Sequence, residues 1–265
     1  MKPNNLKRAL KQGEVQIGTW VNTLSTPKIT QILATAGFDF IYIDMEHSSF
    51  SIETVGELCF AALLLGLTPI VRPPAKDFHL LSRPLDAGAM GLLIPHVDTP
   101  EEARDIIQAV KYPPLGKRGL SLRGVHTGFA QDQGEGYVET MNEETLVLVQ
   151  MESKQAIQNL DDILSVHGID GAVIGRGDLS TDFGCPGQTN HPDVLRSVEL
   201  MIAACRRHDK IPGLLVQDVE SAKIWIAKGI RLVPYSNEVV MLMHAATHAV
   251  GQIRAFAEEE KGERV

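Results

Sequence analysis

The chain has 265 residues, 44% of them hydrophobic, and a formal net charge of −8. That length and apolar share support a sizeable core in one large domain, and the acidic balance, with no basic stripe interleaved with aromatics, argues against nucleic acid as a partner. No apolar run is long enough to cross a membrane.

The N-terminal stretch Met1 to Glu14 carries lysines but no apolar h-region, so it does not read as a secretory signal. A strand-like run follows at Val15 to Val21, then a helical pattern from Pro27 to Ala36. Phe40-Ile41-Tyr42-Ile43 is a short apolar run, rich in β-branched and aromatic residues, and reads as a buried strand. It stops in Asp44, Glu46 and His47. A helix spans Ser51 to Leu65, with Ser51 as N-cap and Glu53 and Glu57 early in it. The strand Thr68 to Val71 ends in Arg72. A helix starts near Asp77, and Pro84 is expected to bend or end it, because proline lacks the donor N–H.

Gly91 to Pro95 is the next strand. Thr99-Pro100-Glu101-Glu102 then opens a helix that runs to about Val110, with threonine at the cap, proline at the first position and acids in the first turn. Lys111 to Asn142, rich in glycine, reads as a long loop of the kind that forms lids and pocket walls. Alternation resumes with a strand at Thr145 to Gln150, followed by Glu152, a helix at Ser153 to Val166, and a strand at Gly171 to Ile174, followed by Gly175 and Asp178. A Gly-rich loop reaches Asn190. Helix His191 to His208, strand Pro212 to Val216, helix Asp218 to Lys228, strand Ile230 to Val233 and helix Asn237 to Glu259 complete the chain.

Eight strand–helix pairs in order imply a parallel sheet with crossover helices, and eight suit a closed (β/α)8 TIM barrel spanning residues 1–265. The alternative, a doubly wound open sheet, lacks a G-x-G-x-x-G fingerprint. In a barrel the active site lies where the strands end. The ionisable residues at the strand tips are therefore expected to meet above one mouth.

Glu152 and Asp178 follow consecutive strands. Two carboxylates held close repel unless a cation or proton intervenes, and with waters and substrate oxygens they suit Mg²⁺ or Mn²⁺. Read from spacing alone, they are equally two surface acids, one capping a helix. His47 is the natural proton shuttle, with Asp44 near enough to orient its ring. Arg72 offers a planar fork for a carboxylate, or pairs structurally with Asp44. Glu46 is expected to salt-bridge outward, and His96, His126, His167, His208, His244 and His248 to be surface residues. No strand contains a lysine for a Schiff base, Lys76 being the nearest, so carbonyl activation would fall to a metal and Arg72. Cys59, Cys185 and Cys205 are odd in number and far apart, which reads as a reduced, cytoplasmic protein.

Gly18-Thr19-Trp20, Ile43-Asp44-x-Glu46-His47, Val71-Arg72-Pro73, Leu85-Asp86-x-Gly88, Tyr112-Pro113-Pro114-x-Gly116-x-Arg118-Gly119, Gln150-x-Glu152 and Ile174-Gly175-x-x-Asp178-Leu179-Ser180 appear in order. Together they resemble the HpcH/HpaI family of class II pyruvate aldolases. The resemblance implies a barrel of the phosphoenolpyruvate/pyruvate type, with its last helix exchanged between subunits of a hexamer. It implies a divalent metal (Mg²⁺, Mn²⁺ or Co²⁺) on Glu152 and Asp178, chelated by pyruvate. Gln150 and the Gly177 backbone would contact that ligand, Arg72 would stabilise the enolate oxygen, and His47 with Asp44 would form an acid/base dyad. Trp20 and Leu215 would flank the aldehyde half. The implied reaction is cleavage of a 4-hydroxy-2-oxo acid to pyruvate and an aldehyde. Oxaloacetate decarboxylation, acyl-CoA cleavage and a non-catalytic 2-oxo-acid-binding barrel are the alternatives. The broadly apolar last helix fits burial on more than one side.

The sequence departs from the family pattern at Gly175-Arg176-Gly177-Asp178, where Arg176 adds a cation. It departs also at Leu120-Ser121-Leu122-Arg123-Gly124 and at Val233-Pro234-Tyr235-Ser236-Asn237. These runs are expected in loops that contact the aldehyde.

Overall fold

The computed structural model describes residues 3–129 and 135–262. Eight parallel strands close into a barrel in sequence order: β1 (Gln16–Val21), β2 (Phe40–Asp44), β3 (Thr68–Arg72), β4 (Gly91–Ile94), β5 (Leu146–Met151), β6 (Gly171–Ile174), β7 (Ile211–Leu214) and β8 (Leu232–Asn237). The closed barrel bears out the fold expected from the alternation. None of the helices among the described residues is long and apolar enough to cross a membrane.

Strand side chains alternate between two apolar environments. Phe40 and Tyr42, Ile70, Leu93, Leu146 and Leu148, Val173, Ile211 and Leu232 fill the barrel interior. Ile41 and Ile43, Val71, Leu92 and Ile94, Val147 and Val149, Ala172 and Ile174 face the surrounding helices. This is the period-2 projection of a strand, with both faces buried as parallel sheets require. Extended by one step, the inward series reaches Asp44 from Tyr42, Arg72 from Ile70, Gln150 from Leu148, and then Glu152. Parity thus aims these polar groups into the mouth.

The chain begins with an unexpected helix, α1 (Asn5–Lys11), whose Leu6 and Leu10 join the interior cluster and plug the foot of the barrel. The helices α2 (Lys28–Thr35), α3 (Ile52–Leu64), α4 (Phe78–Asp86) and α5 (Pro100–Val110) then follow β1 to β4. Ser51 and Thr99 cap α3 and α5 through their hydroxyls, as expected. Pro84 does not end α4, which continues to Asp86 with the proline inside. The expected long loop after Val110 holds a 3-10 turn (Val125–Thr127) and a helix, α6 (Tyr137–Glu144). The helix expected over Ser153 to Val166 is split at Asn159 into α7 (Lys154–Gln158) and α8 (Leu160–Ser165). A short helix, α9 (Arg176–Asp182), stands where a Gly-rich loop was expected. Then come α10 (Pro192–Arg207), α11 (Val219–Lys228) and α12 (Glu238–Gly262).

Candidate active site

The centre of the mouth is a pair of buried charges. β2 and β3 are in register with Asp44 opposite Arg72, and both residues project inward. Arg72 grips Asp44 through Nε to Oδ1 at 2.8 Å and Nη2 to Oδ2 at 2.6 Å. Asp44 is 1% exposed and Arg72 7%, so the bidentate bond compensates two desolvated charges. Nη1 of Arg72 lies 3.0 Å from Glu46 Oε2, and its guanidinium carbon stands 4.3 Å over the Trp20 ring. Two carboxylates and an indole face therefore fix the guanidinium, leaving further N–H donors on Nη1 and Nη2.

This geometry corrects two expectations. Asp44 does not touch the His47 ring: Asp44 accepts from Arg72 and from the backbone amides of Glu46 and His47, at 3.0 and 3.4 Å. A bidentate guanidinium at the buried strand tip outcompetes an imidazole in the exposed turn. The His47 side chain is 62% exposed, with Nε2 3.8 Å from Glu46 Oε2. Glu46 does not point outward. It is turned in beneath Arg72 and His96.

Glu152 is the second anchor, 3% exposed. Its Oε2 accepts from Gln150 Nε2 at 2.5 Å and its Oε1 from the His96 backbone N–H at 2.8 Å. It sits there because Gly175 has no side chain. A Cβ at that position would lie 2.3 Å from Glu152 Oε2 and 3.0 Å from Gln150 Nε2, so only glycine admits the carboxylate. Burial pushes the Glu152 carboxyl above its ordinary pKa, and the nearby negative charge of Asp178 adds to the push. Asp178 lies exposed on α9, and Gly177 has open space on its Cβ side.

His96 is exposed, as expected, and it also belongs to this site. Its Nδ1 lies 3.0 Å from Glu152 Oε1 and its Nε2 3.0 Å from Glu46 Oε1, so one imidazole bridges the two acids. Its backbone adopts the left-handed region with φ 54°, a conformation costing about 1 kcal/mol for a residue with a Cβ. The amide and both ring nitrogens, all on carboxylates, hold it there. Its position two residues past Ile94, the tip of β4, was the signal that would have found it.

Trp20 and Leu215 stand at the inner wall of the mouth, Leu215 packing on the interior cluster that includes Trp20. Trp20 Nε1 and Tyr42 Oη are buried without a hydrogen-bond partner among the described residues. Two unsatisfied donors beside a polar mouth suit a ligand or water rather than a closed core. By contrast, Arg118 pairs with Asp86 at the C-terminal end of α4, and His126 bonds the Asp86 carbonyl. Asp86, at the C-terminal end of α4, lies toward the foot of the barrel, so the Leu120 to Gly124 run of this chain is directed away from its own mouth.

The donor set suits a hard divalent cation. Glu152 and Asp178 are carboxylates of like charge near enough to repel, which adds to the larger effect of burial on Glu152, and oxygen donors of this kind suit such an ion. Among the described residues no three His, Cys, Asp or Glu side chains group as a metal site. Two protein carboxylates would leave the remaining positions to water and substrate. A separate cleft of about 890 Å³ opens at the opposite end of the barrel, lined in part by Lys7, Lys111 and Asp170. Its buried lysines are spent on the Thr145 carbonyl, with Lys7 also paired to Asp170.

Comparison with known proteins agrees with the fold. Residues 16–245 match the family described as HpcH/HpaI aldolase/citrate lyase. A 2-keto-3-deoxy-L-rhamnonate aldolase of Klebsiella pneumoniae subsp. pneumoniae is 36% identical over 252 residues, covering 95% of this chain and 94% of the relative. Among solved structures, an HpcH/HpaI aldolase from Desulfitobacterium hafniense superposes with a TM-score of 0.90 at 32% identity, covering 94% of this chain and 96% of that one. Macrophomate synthase superposes with a TM-score of 0.86 at 28% identity, covering 97% and 91%.

Proposed function

The chain belongs to the HpcH/HpaI aldolase/citrate lyase family, and from that premise we propose how its site works as a carbon–carbon lyase. It is an aldolase that cleaves a 4-hydroxy-2-oxo acid to pyruvate, or a close 2-oxo acid, and an aldehyde. The observation that carries the reading of the site is the Arg72 guanidinium, fixed by Asp44, Glu46 and Trp20 at the mouth with donors to spare.

Glu152 and Asp178 would hold a divalent cation, Mg²⁺, Mn²⁺ or Co²⁺. Bound there, the ion would polarise the keto group of the 2-oxo acid. Gln150 keeps Glu152 aimed, and the Gly177 backbone borders the same space. His47, reaching through a water, takes the proton of the C4 hydroxyl. The C3–C4 bond breaks, its electron pair passes toward C2, and the aldehyde leaves. The free N–H groups of Arg72 stabilise the negative charge that develops on the keto oxygen. His47 returns the proton to C3, and pyruvate results. Trp20 and Leu215 border the aldehyde half. Three free, buried cysteines fit a reducing cytoplasm as the place of work. The exposed apolar residues of α12 fit a homo-oligomer, a hexamer by resemblance.

The test is a coupled assay for pyruvate release. Chelation by EDTA should abolish turnover, and Mg²⁺, Mn²⁺ or Co²⁺ should restore it. His47→Ala should lower kcat by about 100-fold or more while Mn²⁺ affinity, read by electron paramagnetic resonance, stays within a few-fold. Full turnover in EDTA would overturn the metal reading, and equal loss of turnover and metal affinity would make His47 structural.

A further inference from the structure

Arg176 stands at the point where the chain departs from the Gly175 to Asp178 pattern of its resemblance. The residue opens α9 at the tip of β6, and its half-buried side chain turns toward β7. Nη2 donates to the Leu215 carbonyl at 2.9 Å, and Nη1 reaches Asn190 Oδ1 at 3.4 Å. Leu215 packs against the interior cluster that carries Trp20. The guanidinium therefore sits on the mouth's rim, beside the wall formed by Leu215.

Its charge balance differs from that of Arg72. Asp44 and Glu46 neutralise Arg72, whereas Arg176 has neutral hydrogen-bond partners and no carboxylate within 4 Å among the described residues. Asp218 attracts it from farther off, but Asp218 is itself committed to the backbone N–H and hydroxyl of Ser221. A guanidinium partly withdrawn from water and left without an anion is costly, and its planar fork matches a carboxylate.

We propose that Arg176 binds a carboxylate carried by the aldehyde half, so that this enzyme selects aldehydes bearing an acid group over neutral ones of the same length. The inference rests on the aldolase reading above. It assigns to Arg176 a specificity role in a chemistry that the other site residues perform.

The experiment is aldol addition of pyruvate to matched pairs, 4-oxobutanoate against butanal and 5-oxopentanoate against pentanal, comparing kcat/KM within each pair. The wild-type enzyme should favour the charged member of at least one pair by about tenfold or more. Arg176→Ala and Arg176→Gln should each reduce that ratio about tenfold, and Arg176→Lys should keep part of it. Arg176→Gln retains a donor for the Leu215 carbonyl, which guards against a folding defect, and thermal unfolding is recorded for all three. A wild-type ratio near one, or a ratio unchanged in folded Arg176→Ala and Arg176→Gln, overturns the proposal. So does an equal fall for both members with a raised KM for pyruvate, which would place Arg176 on pyruvate instead. Exchange of pyruvate methyl protons in D₂O by the wild-type enzyme needs no aldehyde. Its absence would overturn the aldolase reading itself, whereas exchange with a flat ratio would overturn the Arg176 proposal alone.

Discussion

In the mechanism proposed above, Arg72 is both structural and catalytic. Asp44 and Glu46 hold it at 2.6–3.0 Å, so on that proposal its orientation is set before substrate arrives, and no reorganisation would be needed as charge develops on the keto oxygen. Asp44→Asn should therefore lower kcat/KM by about 100-fold and, by leaving a buried guanidinium short of charge, lower the unfolding free energy by roughly 3 kcal/mol; steady-state kinetics and urea titration check both. Far from the mouth, Lys111 donates to the Asn142 and Thr145 carbonyls at 2.5 and 2.9 Å. Burial, together with the charge of Lys7, pulls its pKa down to about 7. Between that value and the ordinary lysine range the unfolded chain binds a proton that the fold does not, so stability should rise with pH by about 1 kcal/mol per unit. Below pH 7 both states carry the charge and the slope vanishes. Lys111→Met should flatten that rise between pH 7.5 and 9.5 in urea titrations. A slope equal to wild type would mean that Lys111 stays charged in the fold.

At the level of elements, local signals were reliable where a side chain acts on its own backbone. The Ser51 and Thr99 caps formed, each side chain accepting from an amide three residues on, and Asp218 caps α11 in the same way. Signals failed where tertiary contact overrode local preference. Pro84 stays inside α4, where Leu81, Pro84 and Leu85 are buried together. The helix α1 was missed because seven residues show too little periodicity to be read. Leu6 and Leu10 acquire meaning only as the plug of a barrel whose interior they complete. Leu6→Ala should cost about 3 kcal/mol in urea unfolding, whereas a value under 1 kcal/mol would show the plug to be dispensable.

At the level of the whole molecule, α12 is the unfinished part. It runs for 25 residues, and Leu242, Met243, Ile253 and Phe256 are each more than 60% exposed. An apolar helix this exposed marks an association surface. Light scattering should give a multiple of the 29.0 kDa chain mass, and Leu242→Glu with Ile253→Glu should reduce it. A wild-type mass of one chain would exclude assembly through this helix. The sequence by itself determined the alternation of strands and helices, the strand tips at which Asp44, Arg72, Gln150 and Glu152 fall, and the family pattern that joins them, because hydrophobic period and chain order are local properties. It could not decide partners across the mouth. That Asp44 belongs to Arg72 rather than His47, that Glu46 turns inward, and that His96 bridges two acids follow from closure of the barrel. Closure sets which inward-facing side chains meet, and burial there favours the bidentate charge pair over the single contact.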